Sequence, residues 1–390
     1  MASTLDELRS NIHEAVEAGY RQQLLARGQA RGMIWRAGEL PIDAPDFSPL
    51  LSEDLLSFGY SLLLHGLRYL DLGGDFETAR QAFEVAAESI EAVVARGQLD
   101  ETRDFHRLVA GSAYHLGRFS ARAYSLLRAD FEQANLSVVE RCLAQLVLRD
   151  LAGVNRTVAR WFESGAGSDD NVLAALDPLF EIDGQGAALE EGEGVAEALL
   201  LGLEGNFMSA MSQTLLALER GEQHLIGEAQ ARLSQGLSVA GDMNFVGQWW
   251  VHRLALHIVD SLWSSSFHAI LPMSGPDSAV IGDWATLRKL FITSLLCRGR
   301  SEIELWPSQI EAARRTLEYD ANLVLSLPTS AGKTRIAELC ILACLAANKR
   351  VVFVTPLRAL SAQTEVSLRR TFSALGKSVS SRFCRSKRSC

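Results

Sequence analysis

The sequence predicts a mainly helical region over residues 1–271, followed through a connecting segment at 272–303 by part of an α/β fold over 304–378. Three observations carry this expectation. Between Leu50 and Leu271 the only proline is Pro178, and so long a stretch without helix breakers, rich in Ala, Leu, Glu and Arg, reads as successive helices. After it come two short apolar runs with β-branched residues, Asn322 to Leu327 and Arg350 to Thr355, with a helical run from Lys333 to Ala347 between them; this is the pattern of a βαβ unit. The charge also changes sign. From Arg300 onward 15 Lys and Arg face 7 Asp and Glu, a net of plus 8, whereas residues 1–299 hold 23 against 40, a net of minus 17.

With 390 residues, 48% hydrophobic and 22% charged, the chain suits two or three domains of about 150 residues. That composition excludes disorder, collagen and disulfide scaffolds. The six cysteines, Cys142, Cys297, Cys340, Cys344, Cys384 and Cys390, form neither a Cys-x-x-Cys pair nor a regular framework, and read as reduced thiols in a cytoplasmic protein. The first residues show no basic and apolar leader, and no uncharged apolar run reaches the roughly 18 residues of a membrane span. A cytoplasmic chain without a membrane partner is expected. Its acidic body has no electrostatic reason to touch nucleic acid, whereas its basic last quarter suits an anion.

Within the helical region, Ala79, Ala82, Phe83, Ala86, Ile90, Val93 and Val94 recur at helical spacing, with Asp75 as the N-cap and Gly97 as the stop. Gly74-Asp75-Phe76, Gly117-Arg118-Phe119 and Gly205-Asn206-Phe207 each join two helical patterns, at intervals of 43 and 88 residues. Those intervals fit a unit of about 44, so the region resembles tetratricopeptide-like hairpins, with an irregular bundle as the alternative. Such a surface is a candidate for a protein partner. Ser164 to Gly194 reads as loops around one short helix, and its Gly184 and Gly186 make no dinucleotide fingerprint. Trp249, Trp250, Leu254, Ile258 and Leu262 read as a core stripe, and His252 and His257, five apart, do not share a face as metal ligands would. Pro272 to Asp277 breaks the pattern as a linker before a helix at about Trp284 to Cys297.

The phosphate chemistry sits where the first apolar run ends, in Leu327-Pro328-Thr329-Ser330-Ala331-Gly332-Lys333-Thr334. Small residues let backbone N–H groups close around a phosphate chain, and a helix N-terminus adds partial positive charge. The candidate cofactor-binding residues are therefore Thr329, Ser330, Ala331, Gly332, Lys333 and Thr334. Lys333 would reach the β- and γ-phosphates, and the Thr334 hydroxyl would help hold Mg²⁺ brought by the nucleotide. Leu327 stands where the general pattern has Gly. Upstream, Gln309 in Leu305-Trp306-Pro307-Ser308-Gln309 can meet adenine with both a donor and an acceptor, which makes ATP rather than GTP the expected cofactor. Downstream, Thr355, Pro356 and Arg358 follow the second apolar run, at the end of a parallel strand where α/β sheets bind ligands. Cys340 and Cys344, four apart on the intervening helix, read as small buried hydrophobes.

Trp-Pro-Ser-Gln, Leu-Pro-Thr-Ser-Ala-Gly-Lys-Thr and Val-Thr-Pro-Leu-Arg-Ala-Leu, in this order, resemble the Q-type motif, motif I and motif Ia of superfamily 2 DEAD/DEAH-like nucleic-acid helicases, with the second closest to the Ski2-like branch. The resemblance covers roughly residues 300–378. It implies the start of the first of two RecA-like domains, with ATP hydrolysis driving movement on DNA or RNA. By that likeness Gln309 reads adenine, Ser330 to Thr334 hold phosphates and Mg²⁺, and Thr355, Pro356 and Arg358 meet the nucleic-acid backbone.

Motif II would supply an Asp-Glu pair, yet the last aspartate is Asp320 and the carboxylates after Lys333 are Glu338 and Glu365. Residues 379–390 show neither strand nor helix periodicity and read as a truncated or frame-shifted terminus, with a basic nucleic-acid tail as the alternative. The expectation is a helicase part competent for ATP and weak nucleic-acid binding but inactive alone. A helical scaffold with a vestigial phosphate loop is the competing expectation.

Overall fold

The computed structural model describes residues 4–17, 19–36, 48, 50–94, 102–129, 131–166, 191–273, 283–298, 301–316, 322–326 and 332–380. Outside them lie the expected stop at Gly97, residues 167–190 of the expected Ser164–Gly194 loops, whose last four residues are instead helical, most of the expected Pro272–Asp277 linker, Leu327 to Ala331 of the candidate phosphate loop, and the tail from residue 381. The described chain forms two compact units: residues 1–215 with 224–260, and residues 216–223 with 261–390.

Among its described residues the regular structure of the first unit is helical. It holds α1 (Leu5–Val16), α2 (Tyr20–Arg36), α3 (Leu51–Asp71), α4 (Phe76–Val94), α5 (Arg103–Leu116), α6 (Ser120–Arg128), α7 (Val138–Val147) and α8 (Leu151–Glu163), then most of α9 (Glu191–Arg220), α10 (Gln223–Asp242) and α11 (Val246–Ser264). Local sequence sets several of these starts. Thr4 with Glu7 and Ser137 with Glu140 form reciprocal capping boxes, and the Asp150 side chain accepts from Gly153 N–H.

Asp75 caps α4 as expected, accepting from Thr78 N–H at 2.8 Å and from the Tyr69 hydroxyl at 2.8 Å. The predicted stripe is the buried face of α4, with Ala79, Ala82, Phe83, Ala86 and Ile90 all fully buried. The first two Gly-x-Phe corners are real and interlock. Arg118, at φ +64°, lays its guanidinium 3.8 Å from the Phe76 ring centroid, while Arg80 sits 4.7 Å from that of Phe119. The third expected corner is not one: Gly205-Asn206-Phe207 lies inside α9. Helical continuity prevails there because Phe207 is fully buried against the edge of His252, and the bare Cα of Gly205 leaves room for Trp161.

Trp250, Leu254, Ile258 and Leu262 are buried along α11 as the core stripe. Of the two histidines, His252 Nδ1 lies 2.8 Å from the Gln248 carbonyl, and His257 Nε2 lies 3.3 Å from Asp71, which also pairs with Arg253.

The second unit contains α12 (Phe267–Ile270), α13 (Asp283–Leu296), α14 (Pro307–Thr316), α15 (Lys333–Ala346), α16 (Arg358–Phe372) and a 3-10 turn at Ser373–Leu375. Its core forms around Phe291, whose ring lies 5.9 Å from that of Phe267 and 6.3 Å from that of Phe372; Leu339, Leu342 and Ala346 of α15 pack into the same cluster.

Among the described residues no strand forms. The one pairing is an isolated antiparallel bridge between Ser266 and Glu304. The two runs expected as strands carry no ladder, and Val324, Val352 and Val354 are 95%, 85% and 83% exposed. A parallel strand is stable only when neighbours take its N–H and C=O groups and cover both faces, and neither run has such a neighbour among these residues. The mainly helical part of the expected fold is therefore observed, and the α/β arrangement is not.

Candidate nucleotide site

Two helix starts meet at the site. Pro307 occupies the first position of α14, where its missing N–H costs nothing. The turn before it closes on itself: Trp306 N–H donates to Gln309 Oε1 at 2.8 Å, and Gln309 N–H donates to the Trp306 carbonyl at 2.7 Å. This buries Gln309, 5% exposed, and aims its amide nitrogen at the Gly332 carbonyl, 3.4 Å away.

Gly332 is the residue before α15 and has φ +77°, a left-handed conformation that favours glycine. A Cβ added there would collide with the Gln309 amide. Lys333 and Thr334 follow on the exposed first turn of α15, which carries no acidic residue. Their N–H groups and the positive end of the helix suit an anion. The helix begins at Lys333, where the expected run begins, and ends at Ala346, one residue before its expected end.

Thr355, Pro356 and Arg358 are at the head of a different helix, α16. Arg358 and Pro356 are exposed, and the half-buried Thr355 hydroxyl pairs with that of Ser361. Of the sequence-predicted site residues, the structure thus brings Gln309 onto Gly332, sets Lys333 and Thr334 beside them, and holds the Thr355–Arg358 group on its own turn. Thr329, Ser330 and Ala331 lie outside the described residues.

A partly buried ionic cluster that local sequence does not reveal begins at Arg335, directly after Thr334. Arg335 pairs with Glu338 on its own helix and with Glu302 from the strip leading to Gln309. Arg298 holds Glu302 at 2.7 Å and donates to the Thr371 hydroxyl at 2.7 Å, and that hydroxyl donates to Glu338 at 2.7 Å. Burial pulls the Arg335 pKa below its ordinary value, and Glu338 opposes the shift. The spacings Arg298/Glu302 and Arg335/Glu338 were visible as i,i+4 and i,i+3 pairs. Their convergence with Thr371 was not.

Among the described residues no group of three or more His, Cys, Asp or Glu could hold a metal. The exposed Thr334 hydroxyl still fits Mg²⁺ that arrives on a nucleotide, since that ion keeps most of its ligands from phosphate and water. Cys340 and Cys344 are half-buried on α15, and burial raises the Cys340 pKa.

The DEAD/DEAH box helicase family model matches residues 306–389. That span starts at Trp306 and includes both Gln309 and the Gly332–Thr334 turn. Over 60 residues the chain is 38% identical to the ATP-dependent DNA helicase Hel308 of Methanocella arvoryzae, a match covering 15% of this chain and 8% of that protein. Both likenesses are to helicases, and both fall on a minor part of the chain. A longer and more distant likeness, 20% identity over 383 residues, joins the chain to the Hachiman protein HamB of Bacillus cereus; it covers 96% of this chain and 31% of HamB. The chain thus spans about a third of the length of that relative. No helix among the described residues is long and apolar enough to cross a membrane.

Proposed function

We propose that residues 304–378 bind Mg·ATP as the start of a RecA-like motor domain, and that the chain is part of an ATP-dependent superfamily 2 helicase or translocase of the Ski2-like branch, competent here for ATP and weak nucleic-acid binding. The observation that carries this reading is Gln309 seated on Gly332 at the head of α15. In this reading that contact joins an adenine reader and a phosphate-binding turn into one site. In the bound complex Gly332, Lys333 and Thr334, with Thr329 to Ala331 before them, hold the phosphates. Lys333 meets the β- and γ-phosphates as a point charge, and the Thr334 hydroxyl takes one position on Mg²⁺, which neutralises charge on those oxygens. Thr355, Pro356 and Arg358 meet the nucleic-acid backbone, and Arg358 supplies the guanidinium that pairs with phosphate. The distant likeness to HamB runs through the helical region as well, which supports reading that region as part of the same machine.

Titration of the full chain with a fluorescent ATP analogue tests this reading. The expected result is Mg²⁺-dependent binding that Lys333→Ala abolishes. Equal binding by both proteins would refute it.

A further inference from the structure

The adenine preference of a Gln309-type reader depends on where its amide is held, and the structure shows what holds it. The strip leading to Gln309 is pinned at two places. Residues 303–305 run beside 265–267, with Phe267 N–H on the Ile303 carbonyl at 3.1 Å and Leu305 N–H on the Ser265 carbonyl at 2.8 Å. Glu302, the residue before this pairing, is gripped by Arg335 of the phosphate-loop helix and by Arg298. Arg335 is two residues past Lys333, and its other partner Glu338 is buried on the same helix at 2% exposure. Glu302 and Arg335 therefore tie the two elements whose meeting point is the Gln309–Gly332 contact. Phe267 completes the frame, since its ring lies 5.9 Å from the Arg335 guanidinium and its backbone belongs to the same bridge.

We infer that Arg335 and Glu302 are positioning residues that fix the Gln309 amide on Gly332 and so set the preference for adenine over guanine nucleotides. The inference rests on the nucleotide-binding reading above. Adenine presents a donor beside an acceptor on the edge that a glutamine amide reads, whereas guanine presents two acceptors there. An amide held in one orientation distinguishes the two; an amide on a loosened strip does so less. Phosphate affinity comes from Lys333 and the turn around it; the Arg335 backbone N–H bonds the Gly332 carbonyl at 2.9 Å in every variant, whereas the Glu302 and Arg335 side chains pair with each other and with Arg298 and Glu338. The two contributions are therefore separable.

The test measures affinities of fluorescent ATP and GTP analogues for the full chain, the Lys333→Ala variant, and the Glu302→Gln and Arg335→Met variants. Wild type is expected to prefer ATP, and Lys333→Ala to lose both ligands. Glu302→Gln is expected to reduce the ATP-over-GTP ratio about fivefold, the size of one ordinary hydrogen bond, since the glutamine can keep part of the contact, with GTP affinity within about twofold of wild type. Arg335→Met follows the same pattern, and Arg335→Lys restores part of the ratio. A general loss of structure lowers both affinities together, so the ratio separates positioning from stability. Should Arg335→Met fail to fold by circular dichroism, Glu302→Gln decides, because it removes a charge from the half-exposed strip and leaves the buried Arg335–Glu338 pair whole. An unchanged ratio in Glu302→Gln overturns the inference while the nucleotide site stands. Wild-type binding that depends on Lys333 but shows no ATP preference also overturns it, and absence of any nucleotide binding overturns both readings.

Discussion

The Gln309 amide nitrogen donates to the Gly332 carbonyl across 3.4 Å, and Gly332 reaches that position with φ +77°. A side chain at 332 would meet both a backbone penalty and the Gln309 amide. Gly332→Ala is therefore expected to lower nucleotide affinity at least tenfold and to cost about 1 kcal/mol in stability, the size of placing a non-glycine residue in the left-handed region. Nucleotide titration and urea denaturation of the same preparation measure the two effects. Wild-type affinity in Gly332→Ala would show that the Gln309 contact plays no part in the site.

A second expectation concerns the cluster below the site. Glu338 is held by Arg335 and the Thr371 hydroxyl, and removing it leaves a buried arginine short of a partner. Glu338→Ala should destabilise the second unit by about 3 kcal/mol, whereas replacing both members with apolar residues, Arg335→Met with Glu338→Leu, should recover much of the loss. Urea midpoints for the single and double variants check this. A double variant as unstable as Glu338→Ala would contradict it.

ATP turnover above background is not expected from this chain, with or without nucleic acid. Of the two carboxylates after Lys333, Glu338 is buried in the ionic cluster and Glu365 pairs with Arg369 on α16. Both carboxylates are thus engaged in ion pairs with arginines. A transition-state arginine is worth about 10³ to 10⁵ in kcat where one is supplied, and no Asp-Glu pair follows the phosphate loop. Phosphate release from highly purified chain is the measurement. Turnover that disappears in Lys333→Ala would show that the needed groups are present.

The first unit should lose stability as pH falls from about 6.5 to about 4. Burial and the nearby Arg253 lower the His257 pKa to about 4, against the pull of Asp71 and Asp260. Its folded-state value thus lies below its unfolded value near 6.5, so the unfolded chain binds the proton first. The stabilisation is complete above pH 6.5 and is lost as pH falls through this window. His257→Asn should flatten the slope, with a change in Tm on the order of 5 °C between the two ends. Parallel slopes for wild type and variant would rule out His257 as the source.

Limited proteolysis should cut first beside Val324 and at 350–357, where exposed apolar residues lie outside any helix. The helices of the first unit should survive longest, since α4 buries apolar faces against both α3 and α5. Equal persistence of the 322–357 span would mean that it is protected by structure of its own.

Much of this was legible from local sequence, and the exceptions have physical causes. The cap at Asp75, the buried stripe of α4 and the run from Lys333 are set by neighbours within one or two turns, so they are read directly. Gly205 was misread because glycine allows a corner without requiring one; the packing of Phe207 and Trp161 keeps α9 straight through it. The two apolar runs were read as strands from side-chain type alone, but a strand also needs partners that residues 322–326 and 350–355 cannot supply to themselves. The Gln309 and Lys333 positions were visible as motif residues. The ionic cluster was not, because Thr371 reaches Arg298 from 73 residues away and Glu338 from 33.

Hydrogen exchange on the full chain with and without Mg·ATP tests the nucleotide site most directly, because it reports where the ligand lands as well as whether it binds. Slower exchange is expected in peptides covering Leu305 to Ala312 and the first turns of α15 from Lys333. No such change is expected in the Lys333→Ala variant or in α3 to α6. Protection confined to the first unit, or identical exchange with and without nucleotide, would contradict a nucleotide site built from Gln309 and the Gly332–Thr334 turn.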